Sequence, residues 1–440
     1  MKLARVFSSL GILVLVVGMI SLFGQVITAP AASPPASPKQ AAVAAKEVKI
    51  GAIYPLSGGA AQAGVDMKAG IELAVEIVNG KYPDIDLPLA KTEGLPNLGG
   101  AKIAVVFADS QGKAEVGQTE AERLITSEQV IALLGCYHSA VTKTASNVAE
   151  RVGLPFVNGE SSSPDLTERG FRWFFRTSPN DLDFSRAMFE FVDSLNKQKN
   201  ANIKTVSLLV EDTDFGTNSA IAQKAEAKRI GVNVVGEIKY KANTTSLNAE
   251  IQKLKADKAD VLLPSSYLSD AILTVKTMKE LDYNPKLILA QDAGYVDANF
   301  ITTVAKDGEG IASRAAFSID IINVKPVAKK INDLYKAKTG KDLTDAPARS
   351  FTAMLTLMEA INRAGSTDPE AIRKALAATD IPGKQTIMPW KGVKFNDKGQ
   401  NSMGQAIIVQ LQGGKYTTVF PLEFKNAEAV FPVPPWSQRK

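Results

Sequence analysis

Val48-Lys-Ile-Gly51-Ala-Ile-Tyr54-Pro-Leu-Ser57-Gly58-Gly59 is a short β-rich run that breaks into a Pro-Leu-Ser-Gly-Gly turn. Beyond Gly64 the apolar residues Met67, Ile71, Ala74, Val75 and Val78 are spaced for one face of a helix. Strand, tight turn and helix in that order make a βα unit, and the pattern recurs outward from it. Residues 82–100 hold three prolines and three glycines without periodicity and read as a surface excursion. A strand is expected over 102–108, then a helix over 114–127, a strand over 130–135, a helix over 140–151 and a short strand over 154–158. Such alternation implies a parallel sheet covered by helices on both faces.

The series breaks near Arg176-Thr-Ser-Pro179 and begins again. Helices are expected over 184–196, 218–230, 247–256 and 268–281, with strands over 205–211, 233–240, 260–265 and 286–290. Right-handed crossovers would build these into a second doubly wound sheet. Amphipathic helices over 324–339 and 350–364 remain, with a last β-rich run over 405–411. They are accommodated if the chain returns to the first lobe near Asp292 and leaves it again near Trp390. The expected organisation is therefore a first lobe of 47–176 and 292–390, a second of 177–291 and 391–425, and a C-terminal tail of 426–440. Three crossings would form a hinge.

Ahead of this α/β body, Lys2 and Arg5 precede an uncharged apolar stretch from Leu10 to Phe23, followed by Ala29-Pro-Ala31. These are the parts of a secretory signal, expected over 1–31 with cleavage after Ala31, and Ala42-Val-Ala44 is a second cleavage candidate. The Ala/Pro/Ser-rich residues 32–46 read as a disordered linker. An uncleaved anchor is the alternative, since 6–27 is nearly long enough to span a bilayer. Either reading places the folded part outside the cytoplasm, periplasmic or extracytoplasmic.

Composition narrows the function classes. The net charge of +5 falls to +3 once Lys2 and Arg5 are set aside, and the excess is interspersed, which argues against a nucleic-acid partner. Cys136 is the single cysteine, so no intramolecular disulfide forms. His138 is the single histidine, adjacent to Ser139, and no Gly-x-Ser-x-Gly elbow occurs. Phosphate-loop, dinucleotide, zinc and calcium motifs are also missing, so no cofactor and no metal are expected. A secreted hydrolase using paired carboxylates stays open as a weak alternative. A ligand-sensing ectodomain or co-receptor is another.

Three segments carry a family resemblance: Gly51-Ala-Ile-Tyr-Pro-Leu-Ser57-Gly58, Leu133-Leu-Gly-Cys-Tyr-His-Ser139-Ala-Val-Thr142, and Ser161-Ser-Ser-Pro-Asp-Leu-Thr-Glu-Arg-Gly-Phe-Arg-Trp-Phe-Phe-Arg176-Thr-Ser-Pro. Together they resemble the branched-chain amino-acid-binding type of periplasmic receptor, over 48–424. The resemblance implies two doubly wound lobes joined by three strands, a small polar amino-acid-like ligand captured by lobe closure, and a membrane-embedded ABC permease as partner. A monomer is expected.

It also implies site residues. Tyr137, Ser139 and Ala140 match the serine-rich turn after the third strand, and Glu160, Ser161 and Ser162 the turn after the fourth. Ser57 belongs to the first turn. Phe215 matches an aromatic that covers the ligand from the second lobe, with Tyr267 beside it. Hydroxyls and free N–H groups at helix N-termini suit a carboxylate on independent grounds, although such serines also cap helices. Two departures stand out. The first loop reads Ala60-Ala-Gln-Ala-Gly64 where the family often has an aromatic, which implies a roomier pocket there. The second-lobe acid that commonly meets the ligand ammonium would fall near Thr244-Thr245, which carries no charge. Asp292 or Glu160 is expected to supply the missing negative charge, and the ligand to differ from leucine, isoleucine and valine.

Overall fold

The structure, a computed structural model, describes residues 47–439. The expected signal over 1–31 and linker over 32–46 lie outside the described residues. Among the described residues no helix is long and apolar enough to cross a membrane.

The first lobe is laid down as β1 (Glu47–Tyr54), α1 (Ala61–Asn79), β2 (Lys102–Asp109), α2 (Ala114–Thr126), β3 (Ala132–Gly135), α3 (Ser139–Val152), β4 (Phe156–Asn158), α4 (Asp165–Glu168) and β5 (Phe174–Arg176). Its strands form a parallel sheet in the order β2-β1-β3-β4-β5. β3, β4 and β5 are buried at every residue, as strands covered on both faces must be.

The second lobe opens with α5 (Asp181–Lys199), whose start is fixed by a capping box between Asn180 and Asp183. It continues through β6 (Thr205–Glu211), α6 (Asp214–Ile230), β7 (Asn233–Tyr240), α7 (Asn248–Asp257), β8 (Val261–Ser265), α8 (Leu268–Glu280), β9 (Leu287–Ala290), α9 (Ala298–Val304) and β10 (Ala312–Ala315). The first lobe then receives α10 (Pro326–Thr339), α11 (Asp345–Ala364) and α12 (Pro369–Ala377), and α11 lies along α1. The hairpin β11 (Asp380–Pro382) and β12 (Gly392–Lys394) follows. The chain ends its sheet work with β13 (Ile407–Gln412) and β14 (Lys415–Phe420), giving a second sheet ordered β14-β13-β10-β9-β8-β6-β7.

Two boundaries differ from expectation. The chain does not leave the second lobe near Asp292, because β10 pairs parallel with β9 and antiparallel with β13 and so holds it there through Ala315. The last crossing follows Gln400 rather than Trp390, since Gln400 still bridges to Arg176 at the edge of the first sheet. The sequence hid the first because β10 is only four residues long and carries Ser313 and Arg314. The expected C-terminal tail also belongs to a lobe: Trp436 Nε1 donates to Tyr283 O at 3.2 Å, and Val433 N to Lys286 O at 2.9 Å.

The crossings are tied together by side-chain amides. Gln400 Nε2 donates to Ser178 O and Asn401 Nδ2 to Thr177 O, each at 2.8 Å. At the other crossing Asp345 Oδ1 accepts from the backbone N–H groups of Ala316 and Phe317 at 2.6 and 2.7 Å. Each lobe also sets one helix, α1 in the first and α6 in the second, tightly against the preceding strand end. A Cβ on Gly64 would lie 1.9 Å from Pro55 O, and one on Gly216 would lie 2.1 Å from Glu211 O. Only glycine allows that approach, which aims both helix N-termini at the cleft.

Candidate ligand site in the cleft

The carboxyl ends of the strands in both lobes face one another, as open α/β sheets require of a ligand site. A small cavity of about 20 Å³ lies between them, lined from the first lobe by Tyr137, Ser139, Glu160, Ser162 and Arg349, and from the second by Phe215, Tyr267, Asp292, Ala293 and Arg314. Seven of the ten residues read from the sequence therefore meet at one place.

Ser139 opens α3 and is buried, and its Oγ accepts from Ser163 N at 3.4 Å. Ser162 Oγ accepts from Arg314 Nη2 at 3.4 Å. The turn that presents Glu160 and Ser162 is clamped by Arg176, which donates to Ser161 O at 3.0 Å, Ser163 O at 2.6 Å, Thr167 Oγ1 at 3.2 Å and Gln400 Oε1 at 2.7 Å. This arginine gives the Pro164–Phe171 run its fixed shape.

The other three residues do not line the cavity. Ser57 is exposed, and its Oγ donates to Asp109 Oδ2 at 2.5 Å, which ties the first turn to β2. Ser161 turns inward, with its Oγ donating to Cys136 O at 2.8 Å and lying 2.6 Å from Thr142 Oγ1. Ala140 is one step along α3 and has no polar atom to offer beyond its backbone. Thr244 is also away from the cavity, with its Oγ1 donating to Ser246 O at 3.0 Å.

Two arginines that the sequence reading missed organise the charge. Arg349, on α11, donates from Nη1 to Asp292 Oδ2 at 2.8 Å and to Asp345 Oδ2 at 2.9 Å, and from Nε to Gly159 O at 3.1 Å. Arg314, on β10, reaches Asp292 Oδ2 from Nη1 and lies 3.6 Å over the Phe184 ring. Their signals were present but faint: one basic residue inside the apolar run 311–317, and one four residues after Asp345 on an otherwise apolar helix face.

Asp292 is thus a second-lobe acid paired across the cleft with first-lobe Arg349. Its φ of +58° is a left-handed conformation that an aspartate adopts only under constraint, of the kind found at ligand clamps. Burial pushes its carboxyl up to about 6, against the pull of both arginines. Asp292 Oδ1 and Arg314 Nε are buried without partners. Burial pushes Glu160 up to about 7, although Ser350 Oγ at 2.5 Å and Tyr54 OH at 3.2 Å both donate to it. The lining carries two guanidiniums and two carboxyls, a balanced set that suits a zwitterion better than a simple anion or cation.

The aromatic lid is also assembled. Tyr267 lies with ring centroids 5.2 Å from Phe215, 5.4 Å from Tyr137 and 4.4 Å from His138, so second-lobe rings cover first-lobe ones. At the rim Lys143 of α3 meets Asp214 of α6 at 3.4 Å. Among the described residues no group of His, Cys, Asp and Glu has the arrangement of a metal site.

Comparison with known proteins agrees with this geometry. A protein-family model described as "Periplasmic binding protein" matches residues 47–415. The Leu/Ile/Val-binding protein homolog 7 of Brucella suis is 29% identical over 390 residues, covering 87% of this chain and 93% of that protein. The fold is shared with a branched-chain amino acid transporter substrate-binding protein of Streptococcus pneumoniae solved with isoleucine (TM-score 0.71, 21% identity, 88% of this chain and 100% of that one). It is shared equally with a solute-binding protein of an ABC transporter from Rhodopseudomonas palustris solved with benzoate (TM-score 0.72, 18% identity, 88% and 97%). With a matched model spanning nearly all of the described residues and two lobes closed on a polar cleft, the chain belongs to the periplasmic binding protein family of extracytoplasmic solute receptors.

Proposed function

We propose that the protein captures a small zwitterionic, amino-acid-like solute between its lobes and delivers it to a membrane-embedded ABC permease, binding its ligand without chemically changing it. The observation that carries this reading is the balanced lining of the cleft, where serine hydroxyls and two arginines face two carboxyls. Ser139, Ser162 and Arg314 would hold the ligand carboxylate, the first at a helix N-terminus where anions are favoured. Asp292 Oδ1, buried and unpartnered, and Glu160 would meet the ammonium. Phe215 and Tyr267 would exclude water once the second lobe arrives. The relatives named for branched-chain amino acids and for ABC transport support the ligand class and the partner.

The receptor would act as a monomer, exported by the segment ahead of residue 32. Calorimetry against a panel of amino acids tests the ligand class, with small-angle scattering on the same samples to read closure. Saturable binding of an amino acid with a fall in radius of gyration is the expected result. Failure of every amino acid to bind, or turnover of the bound compound, would refute the reading.

A further inference from the structure

A second cavity, of about 170 Å³, lies between the lobes beside the first. Tyr267 lines both. The first lobe contributes Gly59, Ala60 and His138, and the second contributes Glu211, Asn243 and Ser269. Small residues in the first loop open this space, in the very place where the family often carries an aromatic.

Its polar character is distinctive. Glu211 ends β6 and is wholly buried; one carboxyl oxygen, Oε1, accepts from Tyr267 N at 2.6 Å, and the carboxyl shares a hydrogen bond with that of Asp270. On the facing lobe His138 Nδ1 is buried without a partner. Behind Glu211 stands Asp270, which accepts from Asn243 N at 2.8 Å. No lysine or arginine lines the cavity. A carboxyl pair on one lobe that shares a proton, an open imidazole nitrogen on the other and no cation present a site whose complement is a donor-rich positive group.

We propose that this cavity is a distal subsite for the second cationic nitrogen, ammonium or guanidinium, of an amino acid whose α-carboxylate and α-ammonium sit in the first cavity. This rests on the amino-acid reading above and specifies it: the ligand is a basic amino acid. Burial and the nearby Asp270 carboxyl hold Glu211 up to about 8, so at neutral pH it keeps its proton until a cation arrives. Binding of the ligand is therefore coupled to proton release. Desolvation lowers His138 to about 4, so its imidazole is neutral and free to accept.

The test compares lysine, ornithine and arginine with norleucine, which offers a neutral chain of similar length, by calorimetry at pH 7 in buffers of different ionisation enthalpy. The wild-type protein is expected to bind at least one of the basic amino acids tighter than norleucine by about tenfold or more, as a buried charge partner implies, and to release a proton only with the basic ligand. Glu211→Gln keeps an oxygen for Tyr267 N and is expected to erase both the preference and the proton release. Norleucine binding as tightly as every basic amino acid, or an unchanged preference in Glu211→Gln, overturns the subsite while leaving the amino-acid reading intact. If neither class binds, both fall together.

Discussion

The two faces of the cleft differ in how their polar groups are held. On the first lobe Ser139, Glu160 and Arg349 make hydrogen bonds within their own lobe, beside a turn that Arg176 clamps from behind. On the second lobe Asp292 Oδ1 and Arg314 Nε arrive buried and open. Unmet buried polar atoms are costly, and on the first lobe's side of the cleft His138 Nδ1 bears that cost. The contrast teaches a division of labour: one face is organised before closure, while the other gains its partners from what the cleft encloses.

The largest break in this comparison is Arg349→Ala. It would strand Asp292 and Asp345 as buried acids, and chemical denaturation should show a loss of about 3–5 kcal/mol, the cost of removing one member of a buried ion pair. A loss below about 1 kcal/mol, the level of a surface pair, would show that the cluster is solvated in the native state.

Glu160 sharpens the comparison through pH. Its carboxyl titrates near 7 in the native state against an ordinary value of 4.5, so the folded form holds a proton that the unfolded form has lost. The resulting stability is fully present below 4.5 and is lost as pH rises through 7. Glu160→Gln should flatten that decline, a difference on the order of 3 kcal/mol across the window, read from unfolding midpoints at pH 4.5 and 8. Parallel pH profiles for variant and wild type would remove Glu160 from the buried set.

The serines divide more finely. Ser139→Ala is expected to weaken ligand binding by about 1.5–3 kcal/mol with little loss of fold, as for hydrogen bonds to charged groups. Ser161→Ala should do the reverse, costing about 1 kcal/mol of stability and sparing affinity, because its hydroxyl serves Cys136 O and Thr142. Calorimetry paired with thermal unfolding separates them, and a common phenotype would erase the distinction between the two turns' roles. The smallest effect belongs to the rim. Lys143→Ala removes the half-exposed pair with Asp214 and should shift closure by less than about 1 kcal/mol, an effect that vanishes at high salt. Scattering profiles at low and high ionic strength would reveal it.

Much of the architecture was legible because it rests on local periodicity. Strands over 205–211 and 233–240 fall where the apolar alternation and turn residues place them, and the expected helices are displaced by only a few residues at their ends, while α9 and α12 carried no expectation. Phe215, Tyr267 and the serine turns were legible through resemblance, since they occur in continuous motifs. β10 and the late crossings were not, because a four-residue strand carries too little pattern to separate it from a loop.

The sequence by itself determined two βα series, a turn chemistry suited to helix N-termini facing a cleft, and the small first loop that leaves room beside it. Tertiary structure alone decided which polar groups share that cleft. Arg314, Arg349, Asp292 and Asp345 are spread over β10, α11 and the loop after β9, and nothing local announces that they meet. The same holds for Glu211 and His138, which come from different lobes and face one cavity only when the lobes come together. The physical reason is range: hydrophobic periodicity acts within a few residues along the chain, whereas pairing of buried charges depends on distance in space, which only the packed sheets and the hinge fix.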